Sequence, residues 1–569
     1  MATALRVSVA APLSKSSSQE ELPLSVEMKG ANGKLPSLVV RCARRKQMLV
    51  YLCIGTYLVS FALWWVYRLI RTPLATGDRA SAQATAGEPQ AAAPPSENAV
   101  AVALEPKLSC LGWRQTGGCD PNGPRESAND LPCNASIVTG ASGYCALRDE
   151  RTGLEVRAME LSCTGVRENE AFTCNEAVAF ATFKAVVHTM AAQATQAQAQ
   201  QAVQQVQQAD KNGIIMVVYP KLLVSVHATI RLLRSYNCTL PIELWYLTSE
   251  MDASSMKKNA ILNSLVKSYG SVTLHGINET QIAGFNSKVY AIAYTNLDNV
   301  LFLDADNVPV KDPTYLFASK EFVANGAIFW PDFWHPVNTI FNIHKTSLLW
   351  ELADTPFVDM MEQESGQLLL SRPRAAAALQ ILQLYAFHAP SLFTRFRLAH
   401  GDKDLFRLAW LKTNTSFHMI PHAPGAAGRT NIHGTFCGMT MVQFDPSGDV
   451  LFLHRNAKKF TGDKTHAATP QGDETLVWHQ LQTFGYVKEG DGSANLAAMT
   501  LAQRYEAIKE HFHVAIYGGG DEFPETGMCY GERREVKSGY FRTVDWQTLP
   551  FRGLEPTLVK FAQEAAELK

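Results

Sequence analysis

The chain has 569 residues, enough for roughly two to four domains and a large buried core. Its 52 basic and 53 acidic side chains leave a formal net charge of −1. So even a balance gives no electrostatic footprint for a nucleic-acid partner.

Residues 1–47 read as a cytosolic tail. The stretch to Pro36 is rich in Ser, Lys and small residues, which suits disorder, and a basic cluster follows at Arg41, Arg44, Arg45 and Lys46. Residues 48–67 carry no charge and end in Trp64, Trp65 and Tyr67. About 20 apolar residues cross a bilayer, and aromatic residues gather at its interface. A cleaved signal peptide fits less well, because the run is long, starts far from Met1 and lacks a small-residue cleavage site. The basic cluster before the span places the N-terminus in the cytosol and the rest in the lumen, as in a single-pass type II membrane protein. Residues 68–107 are dominated by Ala, Pro, Gln, Ser and Glu and read as a flexible stem.

Residues 108–177 hold Cys110, Cys119, Cys133, Cys145, Cys163 and Cys174. In an oxidising lumen such an even cluster reads as a disulfide framework, and no C-x-x-C pair argues for zinc. Residues 178–210, rich in Ala and Gln, read as a helical or disordered linker. Asn134, Asn237, Asn278 and Asn414 stand in N-x-[ST] sequons beyond the span and are expected to carry glycans.

Residues 211–569 read as one α/β domain. A strand over Ile214 to Tyr219, a helix over Leu222 to Leu233 and a strand over Ile242 to Leu247 make a Rossmann-like β-α-β opening suited to a nucleotide. Lys288 falls on a helix, either as an ordinary solvated lysine or near that nucleotide. Val300 to Leu303 then form a short apolar run that reads as a buried strand of a parallel sheet. Asp304 and Asp306 follow at once. Two carboxylates so spaced beyond a strand end can share one hard cation, Mn²⁺ or Mg²⁺, with a diphosphate. A solvated acidic turn would carry the same residues, and a second D-x-D, Asp402 and Asp404, shows how little the pattern alone decides.

Downstream, Trp330 and Asp332 offer an aromatic face and a carboxylate, either as core or as a pocket wall. Glu364, Ser365, Gly366 and Gln367 precede an apolar run; Gly366 suits a turn or a close backbone approach to a sugar. Asp402 and Asp404 suit a helix N-terminus. Pro421 to Arg429, rich in Ala, Gly and Pro, reads as an insertion. His454 ends another apolar run that is placed in the same sheet, and Lys458 follows. The cysteines past the span are odd in number, so one stays free or joins two chains, which leaves room for an oligomer.

From about Gly213 to Phe460, with one weaker stretch, these motifs resemble the Golgi α-mannosyltransferases that extend fungal mannans. They are Lys288 onward, the strand ending Asp304-Ala-Asp306, Phe329-Trp-Pro-Asp332, Glu364-Ser-Gly-Gln367, Gly401-Asp-Lys-Asp404 and His454-x-x-x-Lys458. The resemblance implies a GT-A fold and a retaining, metal-dependent transfer from GDP-mannose to a mannosyl hydroxyl of a glycan. It implies Asp304, Asp306 and His454 as ligands of Mn²⁺ or Mg²⁺. Tyr219, Lys288 and Lys458 fall on the nucleotide and diphosphate side. Trp330 and Glu364 to Gln367 fall at the sugar or acceptor. Asp402, Asp404 and Asp332 are the catalytic candidates, with no nucleophile assigned. The implied setting is a Golgi membrane with the catalytic part lumenal. A UDP-sugar transferase of the same fold and a non-catalytic glycan-binding protein are the alternatives.

Overall fold

The computed structural model describes residues 107–202, 211–462, 476–488, 499–523, 526–533 and 539–568. The expected cytosolic tail, signal anchor and all but the last residue of the stem lie outside these. Among the described residues no helix is long and apolar enough to cross a membrane.

Val300, Leu301, Phe302 and Leu303 are all fully buried. Side chains alternate across a strand, so an uninterrupted apolar strand needs a core on both faces. Both are present: Val300 and Phe302 enter one core, Leu301 and Leu303 the other. The strand, Asn299–Leu303, sits in the middle of a seven-stranded sheet. On one side lie Asn212–Val217, Ile242–Leu247 and Val272–Ile277, all parallel. On the other, Gln363–Ser371 runs antiparallel, so the expected parallel surroundings hold on one side only. The first three parallel strands step outward from Asn212–Val217, and Asn299–Leu303 returns to its opposite edge. That reversal opens a crevice beyond the carboxyl ends of these two strands.

A second, antiparallel sheet begins at Asn307–Pro309, which pairs with Val450–Arg455. Asp304, Ala305 and Asp306 are thus the link between two sheets. His454 belongs to the second sheet, not to that of the Asp304 strand as expected, and it stands directly opposite Asn307. The Pro421 to Arg429 stretch, which reads as an insertion, supplies most of Gly425–Thr430, an inner strand between Phe436–Phe444 and Gln480–Phe484. Its small residues answer a packing demand, since a Cβ on Gly428 would lie 1.9 Å from the Cys437 carbonyl oxygen.

The six clustered cysteines pair as Cys110–Cys133, Cys119–Cys163 and Cys145–Cys174 around a three-stranded antiparallel sheet. Cys437 pairs with Cys529, and Cys238 is buried and free. Thiol mapping of the native protein is therefore expected to find Cys238 unreactive until the chain is denatured. Reaction under native conditions would contradict its burial.

The Ala/Gln-rich stretch is a helix, Ala177–Ala202, and it is not a free spacer. Ala177, Phe180, Phe183, Val187, Ala191 and Ala194 form a buried stripe near helical spacing. Phe183 meets Tyr385 and Phe393, while Gln198 accepts from the Ala377 N–H at 2.7 Å. Trp113 and Phe172 of the disulfide module share the core that holds Val300 and Phe302.

Candidate active site

The backbone assembles the site before any side chain is considered. The Asp304 N–H donates to the Gly366 carbonyl at 2.9 Å, and Arg455 N–H donates to the Asp306 carbonyl at 3.0 Å. These bonds tie the Asp304–Asp306 link to a strand of each sheet. Asn307, fully buried, adds an amide donor to the Gly366 carbonyl at 2.8 Å.

One ligand atom each from Asp304, Asp306 and His454 lies within 4.8 Å of the others. His454 Nε2 stands 3.2 Å from Asp306 Oδ1 and its Nδ1 3.6 Å from Glu364 Oε1. Gly366 makes this possible, because a Cβ there would lie 2.5 Å from His454 Nδ1. The close approach expected of this glycine is therefore to the histidine. Burial works against a charge on His454, but the Asp306 carboxylate outweighs it and pushes the imidazole up to about 9. Burial likewise opposes the Asp306 charge, yet His454 and the Lys459 ammonium hold it far below the usual carboxylate range.

Two carboxylates and an imidazole fit a divalent transition cation. A metal ligand must be neutral imidazole, so binding would release the His454 proton. Metal affinity is accordingly expected to rise about tenfold per pH unit from neutrality and level off near pH 9. Titration of Mn²⁺ at several pH values checks this; a flat profile would remove His454 from the ligand set.

These residues open onto a cavity of about 830 Å³. Tyr219, Lys288, Glu364, Ser365 and Asp402 line it too. Tyr219 lies two residues beyond the first parallel strand, and burial with the nearby Asp306 and Asp304 charges pushes its hydroxyl up to about 12. Lys288, on helix Asn286–Tyr294, is no solvated lysine. It is buried, 3.3 Å from Asp304 Oδ1 and 3.4 Å from Asp402 Oδ2, and it donates to the Ser365 carbonyl at 2.8 Å. Asp402 precedes helix Lys403–Lys412, but its carboxylate makes no cap bond and faces Lys288 instead. Burial raises the carboxyls of Asp402 and Glu364.

Six expected site residues do not line the cavity. Trp330 is fully buried, donates its indole N–H to the Phe444 carbonyl at 2.8 Å and lies edge-on to Phe452, so it is core. Gly366 and Gln367 lie behind the rim. Asp332 is buried and ion-paired with Lys403, whose side chain is the one at the cavity. Asp404 is fully buried against Arg407 Nε at 2.7 Å and accepts from the Gln363 N–H. Lys458 takes a positive φ of 54°, and the turn brings the next residue, Lys459, into ion-pair contact with Asp306. Sequence reasoning passed over Lys459, Lys403 and His400. The only signal for Lys459 was its place beside Lys458. Asn134, Asn237, Asn278 and Asn414 are all exposed.

Residues 211–445 match a family model described as "Mannosyltransferase putative". The chain is 26% identical over 296 residues to the alpha-1,2-mannosyltransferase MNN21 of Candida albicans, covering 43% of this chain and 44% of that protein. It is 25% identical over 295 residues to MNN2 of Saccharomyces cerevisiae, covering 44% and 48%. It is 28% identical over 292 residues to MNN5 of that yeast, covering 42% and 48%. Each match spans less than half the length of the relative. A solved galactosyltransferase, LgtC in complex with donor and acceptor sugar analogs, aligns over 36% of this chain and 72% of its own at 11% identity, with a TM-score of 0.27, too low to carry an argument. The segment that builds the crevice and supplies Asp304 and Asp306 is therefore the segment similar to the mannosyltransferase family, as the motifs indicate.

Proposed function

We propose that the protein transfers mannose from GDP-mannose to a mannosyl hydroxyl of a glycan, through an α1,2 or α1,3 bond and with retention, on a GT-A fold anchored in the Golgi membrane. One observation carries this reading: Asp304 and Asp306 of the link between the sheets and His454 of the second sheet converge within 4.8 Å in the wall of a cavity at the strand-order reversal. A glycan-binding protein needs no site for a diphosphate.

A divalent cation bound there would supply Lewis acidity to the leaving diphosphate. Lys288 and Lys459 add fixed positive charge on the same side, with Lys459 in the phosphate role first expected of Lys458. Tyr219 flanks the nucleotide end of the cavity. Asp402 and Ser365 hold the Lys288 ammonium from the sugar side, at 3.4 and 3.0 Å. Glu364 accepts the N–H groups of Ser365 and Gly366, at 2.9 and 2.7 Å, which fixes the rim beside His454. No carboxylate is assigned as nucleophile; the departing phosphate can take the acceptor proton on the same face.

The test is a donor panel with full-length protein in detergent, Mn²⁺ and a mannoside acceptor. Transfer from GDP-mannose alone is expected. Transfer from a UDP-sugar would reassign the donor, and glycan binding without turnover of any donor would replace the enzyme with a lectin.

A further inference from the structure

The disulfide module has no place in the chemistry so far, yet it is firmly built into the domain that has one. Half-buried Glu351 accepts the N–H groups of Met159 and Glu160, at 3.1 and 2.8 Å. Glu170 pairs with Arg397, and Glu176 with Arg395, both at 2.7 Å. These contacts carry the module to the segment that follows Pro336.

One side chain goes further. Arg167 donates to the Ile340 carbonyl and lies over the Phe341 ring, 5.4 Å from its centroid. Phe341 in turn stacks on His400, with centroids 4.9 Å apart and planes 20° apart. The Lys403 ammonium lies 3.9 Å from the Phe341 centroid. His400, Lys403 and Phe285 line the cavity. Phe285 is 61% exposed and rests on Gly401, where a Cβ would lie 3.1 Å from the ring. Gly401 has φ of 62°, so neither its conformation nor its space suits a side chain. A continuous line of rings and cations thus runs from the module to the cavity wall.

We infer that Phe285 and His400 form a shelf for a pyranose ring of the glycan acceptor, and that Arg167 of the disulfide module is a positioning residue that holds the shelf through Phe341. This deepens the proposed transfer and rests on it for the identity of the sugar. An aromatic face excludes water from the apolar face of a sugar, while flanking polar groups take its hydroxyls. Here Lys403 and Asp402 stand beside the shelf for that second purpose. A neutral glycan suits this better than a second anion, because the buried charges at the shelf are already paired: Lys403 with Asp332 and Asp402 with Lys288.

The experiment uses full-length protein in detergent, as wild type and as Arg167→Ala, Arg167→Lys and His400→Ala. A methyl α-mannobioside is titrated without donor by ligand-observed NMR. GDP with Mn²⁺ is titrated by calorimetry, and acceptor KM and kcat are measured with GDP-mannose. Arg167→Ala is expected to weaken mannobioside binding and raise acceptor KM about fivefold, the loss of one cation–ring contact. Its kcat and GDP affinity should stay within about twofold, and Arg167→Lys should recover most of the loss. His400→Ala should move the same two quantities further. Unchanged mannobioside binding in His400→Ala overturns the shelf, as does absence of binding in the wild type. Equal losses of GDP and mannobioside binding in Arg167→Ala overturn the positioning role. Shelf-dependent mannobioside binding with no turnover of GDP-mannose would keep this inference and remove the proposed transfer instead.

Discussion

Asp306→Ala and His454→Ala are each expected to abolish Mn²⁺-dependent binding of GDP together with transfer. Ligand loss removes metal and diphosphate affinity as one, because both share a coordination shell. Asp306 also anchors Lys459, so its removal frees a second diphosphate-side charge. Calorimetric titration of GDP with and without Mn²⁺ reads the effect, and chelation of the wild type should reproduce it. If Asp306→Ala still bound GDP with full metal dependence, the cation would have to be assigned elsewhere.

The second large effect concerns the other D-x-D. Asp404 and Arg407 are both fully buried and paired at 2.7 Å. Removing one partner leaves an uncompensated buried charge, at a cost of about 3–5 kcal/mol. Asp404→Ala should therefore lower the denaturant midpoint sharply, and any activity lost should follow the folded fraction. Asp402→Asn should behave in the opposite way. It keeps a residue of the same shape at the cavity wall, and Lys288 retains the Asp304 carboxylate at 3.3 Å as counter-charge, so turnover should fall on the order of 100-fold with little change in the unfolding midpoint. An Asp404→Ala protein as stable as wild type, yet inactive, would return Asp404 to the chemistry. This departs from the expectation that both aspartates contact the sugar side.

The parts that were legible in the sequence follow from patterns with one dominant cause. Val300 to Leu303 read as a buried strand because the apolar run is short and unbroken, with Asp304 and Asp306 at its end. The six clustered cysteines likewise had few alternatives to disulfides. His454 was legible by resemblance, but its sheet was not, because nothing local says that the chain changes sheets across three residues. Asp404 and Arg407, spaced like a solvated pair on a helix surface, give no hint of full burial. Gly425 and Gly428 carry no sign in the sequence of the close backbone approach that needs them. Lys459 could not be told from Lys458 without the left-handed turn that separates their directions.

The change of sheet at Asp304 to Asp306 also bears on how the protein comes into being. Pairing of Asn307 with His454 is a contact between stretches made far apart in time. Long-range strand pairing is slow, because loop closure must precede its reward. As the chain emerges from its N-terminal side, the first sheet can assemble with the Asp304 carboxylate already in place. The second sheet cannot close over it until residues 450–455 have emerged. A truncated chain would therefore present two carboxylates with neither their histidine nor the Lys459 counter-charge. The three-residue cluster of Asp304, Asp306 and His454 is thus incomplete until synthesis has passed this point.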